Sequence, residues 1–447
     1  MNRLTINTEE IIGKVKPMHG VGSAPFYGVN DSMFHYLAEA GIPYSRLHDV
    51  GGAFGGYVFV DIPNIFRDFN ADADDERSYD FVFTDWLLTN LIKQNTMPIF
   101  RLGVTIENWQ KIKAYRIYPP EDFGKWAKIC AHIIMHYNYG WANGYNMNIT
   151  YWEIWNEPEN AHPDGNNQMW KGTKEEYFEL YDTAAKYLKS CFPSLKFGGY
   201  AGCGFYGLEE YKYNGDELLT NRYRMEFFKD FLSFVKKNNS PIDFFSWHSY
   251  ESVNITVKFA RYVKQSLCEY GLNDVESILD EWNANSPWNT EHEMIDRASA
   301  KAAADVCEMM CRMQAEAVDI CCYYDARWGV SNWGGMFHPY TGKPLKTYYS
   351  FKAFNELYML KQSVKCNMEC DGSLFAVSAV DGNICRAVIT NTSQRNEMLE
   401  INMDTAYKFS KIIITDSNKT FEEDNNLVNG KLYGIPKESV ITVEWVK

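Results

Sequence analysis

Apolar residues recur along this chain with two periods, and the two periods alternate. Short runs rich in β-branched and aromatic residues, each closed by turn formers, read as strands. They fall at 42–49, 97–103, 151–155, 195–200, 242–250, 275–282 and 317–324, and residues 14–22 begin as a strand and pass into a Gly-rich loop. Between them the spacing becomes helical. Over 79–94, Phe81, Trp86, Leu87, Leu88, Leu91 and Ile92 share one helix face. Further helices are predicted at about 120–137, 174–190, 222–237, 256–270, 293–315 and 345–360, and one capped by Asn30-Asp31 runs to about Ala40. Eight strands, each followed by a helix, argue for a closed (β/α)8 TIM barrel over an open sheet.

After Lys361 the period becomes two. Residues 373–380 and 384–389 flank Asp381-Gly382-Asn383, a hairpin signature, and 411–415 and 439–445 continue the alternation. The expected organisation is an α/β barrel over 14–360 with a small C-terminal antiparallel β domain. That accessory domain, β-sandwich-like, covers 361–447, with residues 1–13 free to join it because chain termini often meet.

Composition changes the picture in three places. The net charge of -14 argues against polyanionic partners, so neither nucleic acid nor an anionic membrane is expected. No run reaches transmembrane length, and the first ten residues hold no apolar stretch of signal-peptide size, so a cytoplasmic location is expected. The eleven cysteines are then read as reduced thiols. Cys307 and Cys311 have helical spacing but no third ligand nearby in sequence, so neither a metal nor a cofactor is called for. Aromatic residues make up 16% of the chain, which suits a large core and equally suits flat platforms for sugars. A homo-oligomer is left open.

The chemistry gathers around Tyr151-Trp152-Glu153-Ile154-Trp155-Asn156-Glu157-Pro158. Pro158 cannot continue a central strand, so Asn156 and Glu157 stand where the fourth barrel strand ends. In a barrel that end of the strand faces the active mouth. A carboxyl there becomes useful for glycosidic cleavage if a second one joins it. Glu281, at the end of the seventh strand, is the best partner, since strands four and seven lie across the mouth from each other. Asp280 precedes it, and either of the two can face inward.

Three segments carry a resemblance. Trp155-Asn156-Glu157-Pro158 is similar to the acid/base motif of the clan A barrel glycosidases. Ile278-Leu279-Asp280-Glu281-Trp282-Asn283 resembles their nucleophile motif. Ser45-Arg46-Leu47-His48-Asp49 resembles the strand-two segment of glycoside hydrolase family 39. The resemblance covers about residues 15–355. It implies retention of anomeric configuration, no cofactor, a carbohydrate substrate, and mostly β-xylosidase or α-L-iduronidase activity. The absence of a signal-like segment does not fit a lysosomal iduronidase.

On that resemblance Glu281 is the nucleophile and Glu157 the acid/base, with Glu157 the higher in pKa. Arg46 and Tyr250 are expected to support the nucleophile. Asn156, His48, His248, Tyr250 and Trp328 are expected to meet the sugar, with Trp333 beside Trp328 as part of a stacking wall. Each His can equally be a satisfied structural residue. Other readings are a different clan A enzyme (arabinofuranosidase, glucosidase or endo-glycanase) and a non-catalytic carbohydrate-binding barrel. A phosphate-using barrel has weak support, since the stretch after strand eight offers only Gly329 and Gly334-Gly335.

Overall fold

The computed structural model describes residues 2–26, 32–50, 60–105, 117–161, 167–283, 296–328 and 333–447. Eight parallel strands close into a barrel: β2 (Gly20–Gly22), β3 (Tyr44–Leu47), β4 (Met97–Leu102), β5 (Tyr151–Ile154), β6 (Lys196–Gly202), β7 (Phe244–Ser249), β8 (Glu276–Trp282) and β9 (Ile320–Tyr323). β9 pairs with β2 to complete the ring. Outside it lie helices Val82–Lys93, Phe123–Tyr139, Lys174–Cys191, Gly215–Asn238, Val253–Glu269, Ala300–Ala315 and Lys346–Tyr358, with short His35–Glu39 after the first barrel strand. The Asn30-Asp31 cap, the expected start of a helix at Glu293, and Gly329 lie outside the described residues. No helix among the described residues is long and apolar enough to cross a membrane.

The first barrel strand differs from expectation. It occupies the glycines at 20–22, not the residues from Lys14 on, because the closing strand must lie against its neighbours. A Cβ on Gly20 would sit 2.6 Å from the Cys321 carbonyl oxygen. Lys14 instead ends a long strand of the other sheet, β1 (Asn2–Lys14).

Alternation along the strands fills the barrel in layers. The lowest layer is apolar: Ile99, Tyr151, Phe244, Ile278 and Ile320, with Tyr44 packed on it. Two residues further along, the interior becomes largely polar, with Arg46, Arg101, Glu153, Ser246 and Asp280 all fully buried. The C-terminal mouth lies above that layer.

The second sheet runs β15-β14-β18-β12-β11-β10-β1-β13-β17-β16. Its strands are β10 (Gln362–Glu369), β11 (Leu374–Asp381), β12 (Ile384–Asn391), β13 (Glu397–Asn402), β14 (Lys408–Thr415), β15 (Glu422–Glu423), β16 (Val428–Asn429), β17 (Leu432–Ile435) and β18 (Ser439–Val446). The β11–β12 hairpin turns at Gly382-Asn383, where Gly382 takes φ +54° as such turns require. All pairings are antiparallel except β1 with β13, which is parallel. The N-terminal strand thus lies between β10 and β13. The sheet curls on itself, so that Trp445 on β18 donates to the Tyr433 hydroxyl on β17 at 3.1 Å.

Candidate active site

The fourth barrel strand ends in an unusual turn. Trp155 and Glu157 both have left-handed backbones, φ +74° and +46°. Side chains rarely take that conformation, and it persists only where neighbours hold it. The Trp155 indole is turned outward, donates to the Met169 carbonyl at 2.9 Å, and packs edge-on against Trp170. The Glu157 N–H reaches the carbonyls of Tyr200 and Ala201, each at 3.1 Å. The turn frees Asn156 and Glu157 to face the mouth.

A β-bulge does the same for the seventh strand. Along β8, Ile278 points into the barrel and Leu279 toward the helices. Plain alternation would put Asp280 inside and Glu281 outside. Instead Trp247 pairs with Leu279 and the next residue, His248, pairs with Glu281, so β8 carries one extra residue there. Such a bulge re-aims a side chain. Asp280 and Glu281 both face the interior, which answers the question the sequence leaves open.

The result is one connected network. Arg46 Nη1 donates to Glu281 Oε1 at 2.5 Å, and Nη2 donates to Glu153 and Asn156 Oδ1, each at 2.6 Å. The Tyr250 hydroxyl donates to Glu281 Oε2 at 2.6 Å. His248 Nδ1 is 2.7 Å from Glu157 Oε1 and 3.5 Å from Glu281 Oε2, and its Nε2 is 3.7 Å from Asp280. One oxygen of each glutamate and a ring nitrogen of His248 lie within 4.8 Å of one another. Asn160 donates to the other Glu157 oxygen at 2.8 Å.

Burial pushes each of these carboxyls up. In Glu157 the hydrogen bond and charge of His248, with Arg224 and Arg46, outweigh burial, and the carboxyl ends below its ordinary value. In Glu281 burial outweighs His248 and Arg46, Glu157 adds to it, and the carboxyl ends above its ordinary value. This ligand-free order is the reverse of the one expected from the sequence. The reason is His248. Burial opposes its charge, but the charges of Glu281 and Asp280 and the contact with Glu157 raise it well above normal. The two directions together favour an ion pair across the 2.7 Å contact between His248 Nδ1 and Glu157 Oε1.

The remaining candidates divide. His48 is buried, 3.3 Å from Asp49, and held well below its usual pKa by burial and by Arg46, Arg101 and Arg327. It is neutral, and its Nδ1 has no hydrogen-bond partner. His248 is enclosed among acids. Trp333 stands edge-on to Tyr250, 4.7 Å between ring centres, and next to Tyr324. Trp328 packs against the barrel core with its indole nitrogen unbonded. Sequence reasoning missed Glu153, Asn160 and Arg224. Glu153 was legible in principle, since a charged residue inside a buried strand needs a partner.

A parallel barrel that gathers two glutamates at its C-terminal mouth, from the fourth and seventh strands, has the architecture of the barrel glycosidases. The model of glycosyl hydrolases family 39 matches residues 36–321, and the chain belongs to that family. It is 28% identical over 241 residues to a β-xylosidase of Geobacillus stearothermophilus, covering 51% of this chain and 41% of that one. Against a β-xylosidase of Caldicellulosiruptor saccharolyticus the figures are 26% over 271 residues, 56% and 47%. The match thus spans less than half the length of these relatives. In fold the chain resembles a glucosidase from Croceicoccus marinus (TM-score 0.77, 19% identity, 100% of this chain and 99% of that one). It also resembles a monomeric β-xylosidase from Caulobacter crescentus (TM-score 0.67, 18% identity, 99% of each).

Proposed function

We propose that the chain is a retaining glycosidase that removes terminal sugars, β-xylosidase-like, by double displacement. The observation that carries this reading is the short distance between the two acids, with oxygens of Glu157 and Glu281 within 4.8 Å. A retaining pair is about 5–5.5 Å apart, whereas an inverting pair leaves about 6.5–9.5 Å for a water. The sugar assignment leans on the two β-xylosidase relatives.

Glu281 attacks the anomeric carbon. Arg46 and Tyr250 each hold one of its oxygens, which fixes its orientation and favours its ionised form. As the glycosidic oxygen arrives, the proton on His248 moves across the 2.7 Å bond to Glu157 and on to the leaving group. Glu157 then returns as base toward water. The Asn156 carbonyl is held by Arg46, so its amide NH2 is the end that meets the sugar 2-hydroxyl. His48 offers a neutral ring nitrogen to a second hydroxyl, and Trp328 and Trp333 wall the pocket. His248 thus serves proton balance more than sugar contact.

A panel of aryl glycosides tests the substrate. The xyloside is expected to turn over fastest; preference for glucoside or arabinofuranoside moves the assignment within the clan, and no cleavage of any glycoside overturns it. Stereochemistry tests the roles. Glu281→Ala is expected to lose about 10³-fold or more in kcat and, with azide, to give a glycosyl azide of inverted configuration. Glu157→Ala, on a substrate with a good leaving group, is expected to give the retained azide. Opposite products would reverse the two roles.

A further inference from the structure

Beneath the two glutamates lies a second pair of acids that the proposed reaction does not use. Glu153 on β5 and Asp280 on β8 are fully buried and meet at a single nitrogen. Arg46 Nε donates to Glu153 Oε2 at 2.9 Å and stands 3.1 Å from Asp280 Oδ2 without a hydrogen bond to it. The single N–H on Nε is aimed at Glu153. The other Arg46 nitrogens serve Glu153, Asn156 and Glu281. Glu153 Oε1 and both oxygens of Asp280 are therefore left without a donor. Bare buried carboxylate oxygens are costly, and two of them side by side repel.

The charge count points the same way. Glu153, Asp280, Glu281 and Glu157 are in direct contact with two cations, Arg46 and His248, among the described residues. The Glu153 and Asp280 side chains face each other within hydrogen-bond reach. We propose that Glu153 and Asp280 hold one proton between them, Glu153 donating it to Asp280, so that the pair carries a single negative charge. Arg46 then keeps positive charge in hand for Glu281, which makes Glu153 a positioning residue acting through Arg46.

The pair is reached by one cation besides Arg46 among the described residues, His248, with Nε2 3.7 Å from Asp280 Oδ2. Facing it are Arg46 from β3, Ser246 and His248 from β7, Glu281 from β8, Cys322 from β9 and Tyr177 from helix Lys174–Cys191. Burial keeps the Cys322 thiol and the Tyr177 phenol neutral. Arg101 lies in register with Glu153 on β4, but it is hydrogen-bonded to Asp61. Burial, with the Asp280 charge adding to it, pushes Glu153 up to about 8 against the pull of Arg46. Asp280 moves down: burial opposes this, but Arg46 and His248 prevail.

The proton is a property of the folded protein, and only its consequence rests on Glu281 being the nucleophile. Infrared difference spectra of wild type against Glu153→Gln and against Asp280→Asn at pH 6–7 test it without any activity. Each variant is expected to lack one neutral-carboxyl stretching band that the wild type shows, because each leaves one ionised acid at the site. If no such band is lost in either, the proposal is overturned. If neither single variant folds, the isosteric double variant takes their place and must lack the same band. The acidic limb of kcat/KM supplies the second readout. It is expected to stay within a few tenths of a pH unit in both single variants, which keep the charge of the pair. It should fall by about one unit in the double variant, which removes that charge. Single variants that each shift the limb about half as far as the double show a doubly ionised pair and overturn the proposal. A protein with the band but without glycosidase activity would keep this inference and lose the proposed function.

Discussion

At the scale of the residue, burial decides which protonation state a side chain keeps, and His19 isolates that effect. It lies just before β2, fully buried, with Nε2 3.1 Å from the Gly41 carbonyl and the rings of Phe354 and Tyr358 around it. Burial lowers it from 6.5 to about 4 against the pull of its hydrogen bonds. As pH falls below 6.5 the unfolded chain takes up a proton that the folded chain refuses until about 4. Its contribution is therefore present above 6.5 and lost between there and about 4, amounting to about 3 kcal/mol. Buried Glu153 and Glu159, raised to about 8 and about 7, act with the opposite sign. They are common to wild type and His19→Gln, so they cancel in the comparison. Denaturant unfolding of both proteins at pH 7.5 and 4 is expected to show the wild type losing about 3 kcal/mol relative to the variant. An unchanged difference would mean that folded His19 takes up its proton as readily as the unfolded chain does. The same scale shows why the site was only partly legible. Glu157, Glu281, Arg46 and Tyr250 stand at strand ends in a readable order. The set of acids around His248 comes from strands four and seven and has no spacing in sequence.

At the scale of the element, the strands are regular except where the site needs them not to be. β8 carries its extra residue at Asp280–Glu281, and the chain leaves β5 through two left-handed residues. Neither feature has a periodic signature, because a bulge is defined by the partner strand. β6 shows another constraint of the same kind. A Cβ on Gly198 would sit 2.0 Å from the Phe244 carbonyl oxygen and 2.7 Å from its ring. Both are parts of the adjacent strand and cannot yield. Gly198→Ala is expected to destabilise the barrel by about 2 kcal/mol or more, seen as a lowered Tm, by overpacking rather than by backbone strain. An unchanged Tm would show that β6 and β7 can separate at little cost.

At the scale of the whole molecule, the two sheets share a core. Val377, Ala379, Val388 and Val440, from β11, β12 and β18, belong to the same buried cluster as the barrel. Thr390 donates to the Ala304 carbonyl at 3.0 Å and Arg386 to that of Glu356 at 2.7 Å, tying β12 to two barrel helices. Deleting residues 362–447 would bare that apolar face and leave β1 without both of its partners. The truncated chain is expected to be poorly soluble or to unfold at a clearly lower temperature, while every proposed catalytic group stays in the barrel. A soluble truncation of native stability that cleaves no glycoside would show that the β domain contributes to the chemistry.

The sequence by itself determined the alternation of strands and helices, and with it the closed barrel. It also placed Glu157 and Glu281 at the ends of the fourth and seventh strands, since apolar periodicity and strand terminators are local properties of the chain. The ten-stranded sheet that takes its sixth and seventh neighbours from β10 and the N-terminal β1 was readable only as a tendency of the ends to meet. Tertiary structure alone decided that Asp280 and Glu281 both face inward, that glycines rather than a β-branched run close the barrel, and that His248 stands between Glu157, Glu281 and Asp280. Each of these depends on what lies across a strand pair or across the barrel, and the distance between two carboxyls from different strands is written nowhere along the chain.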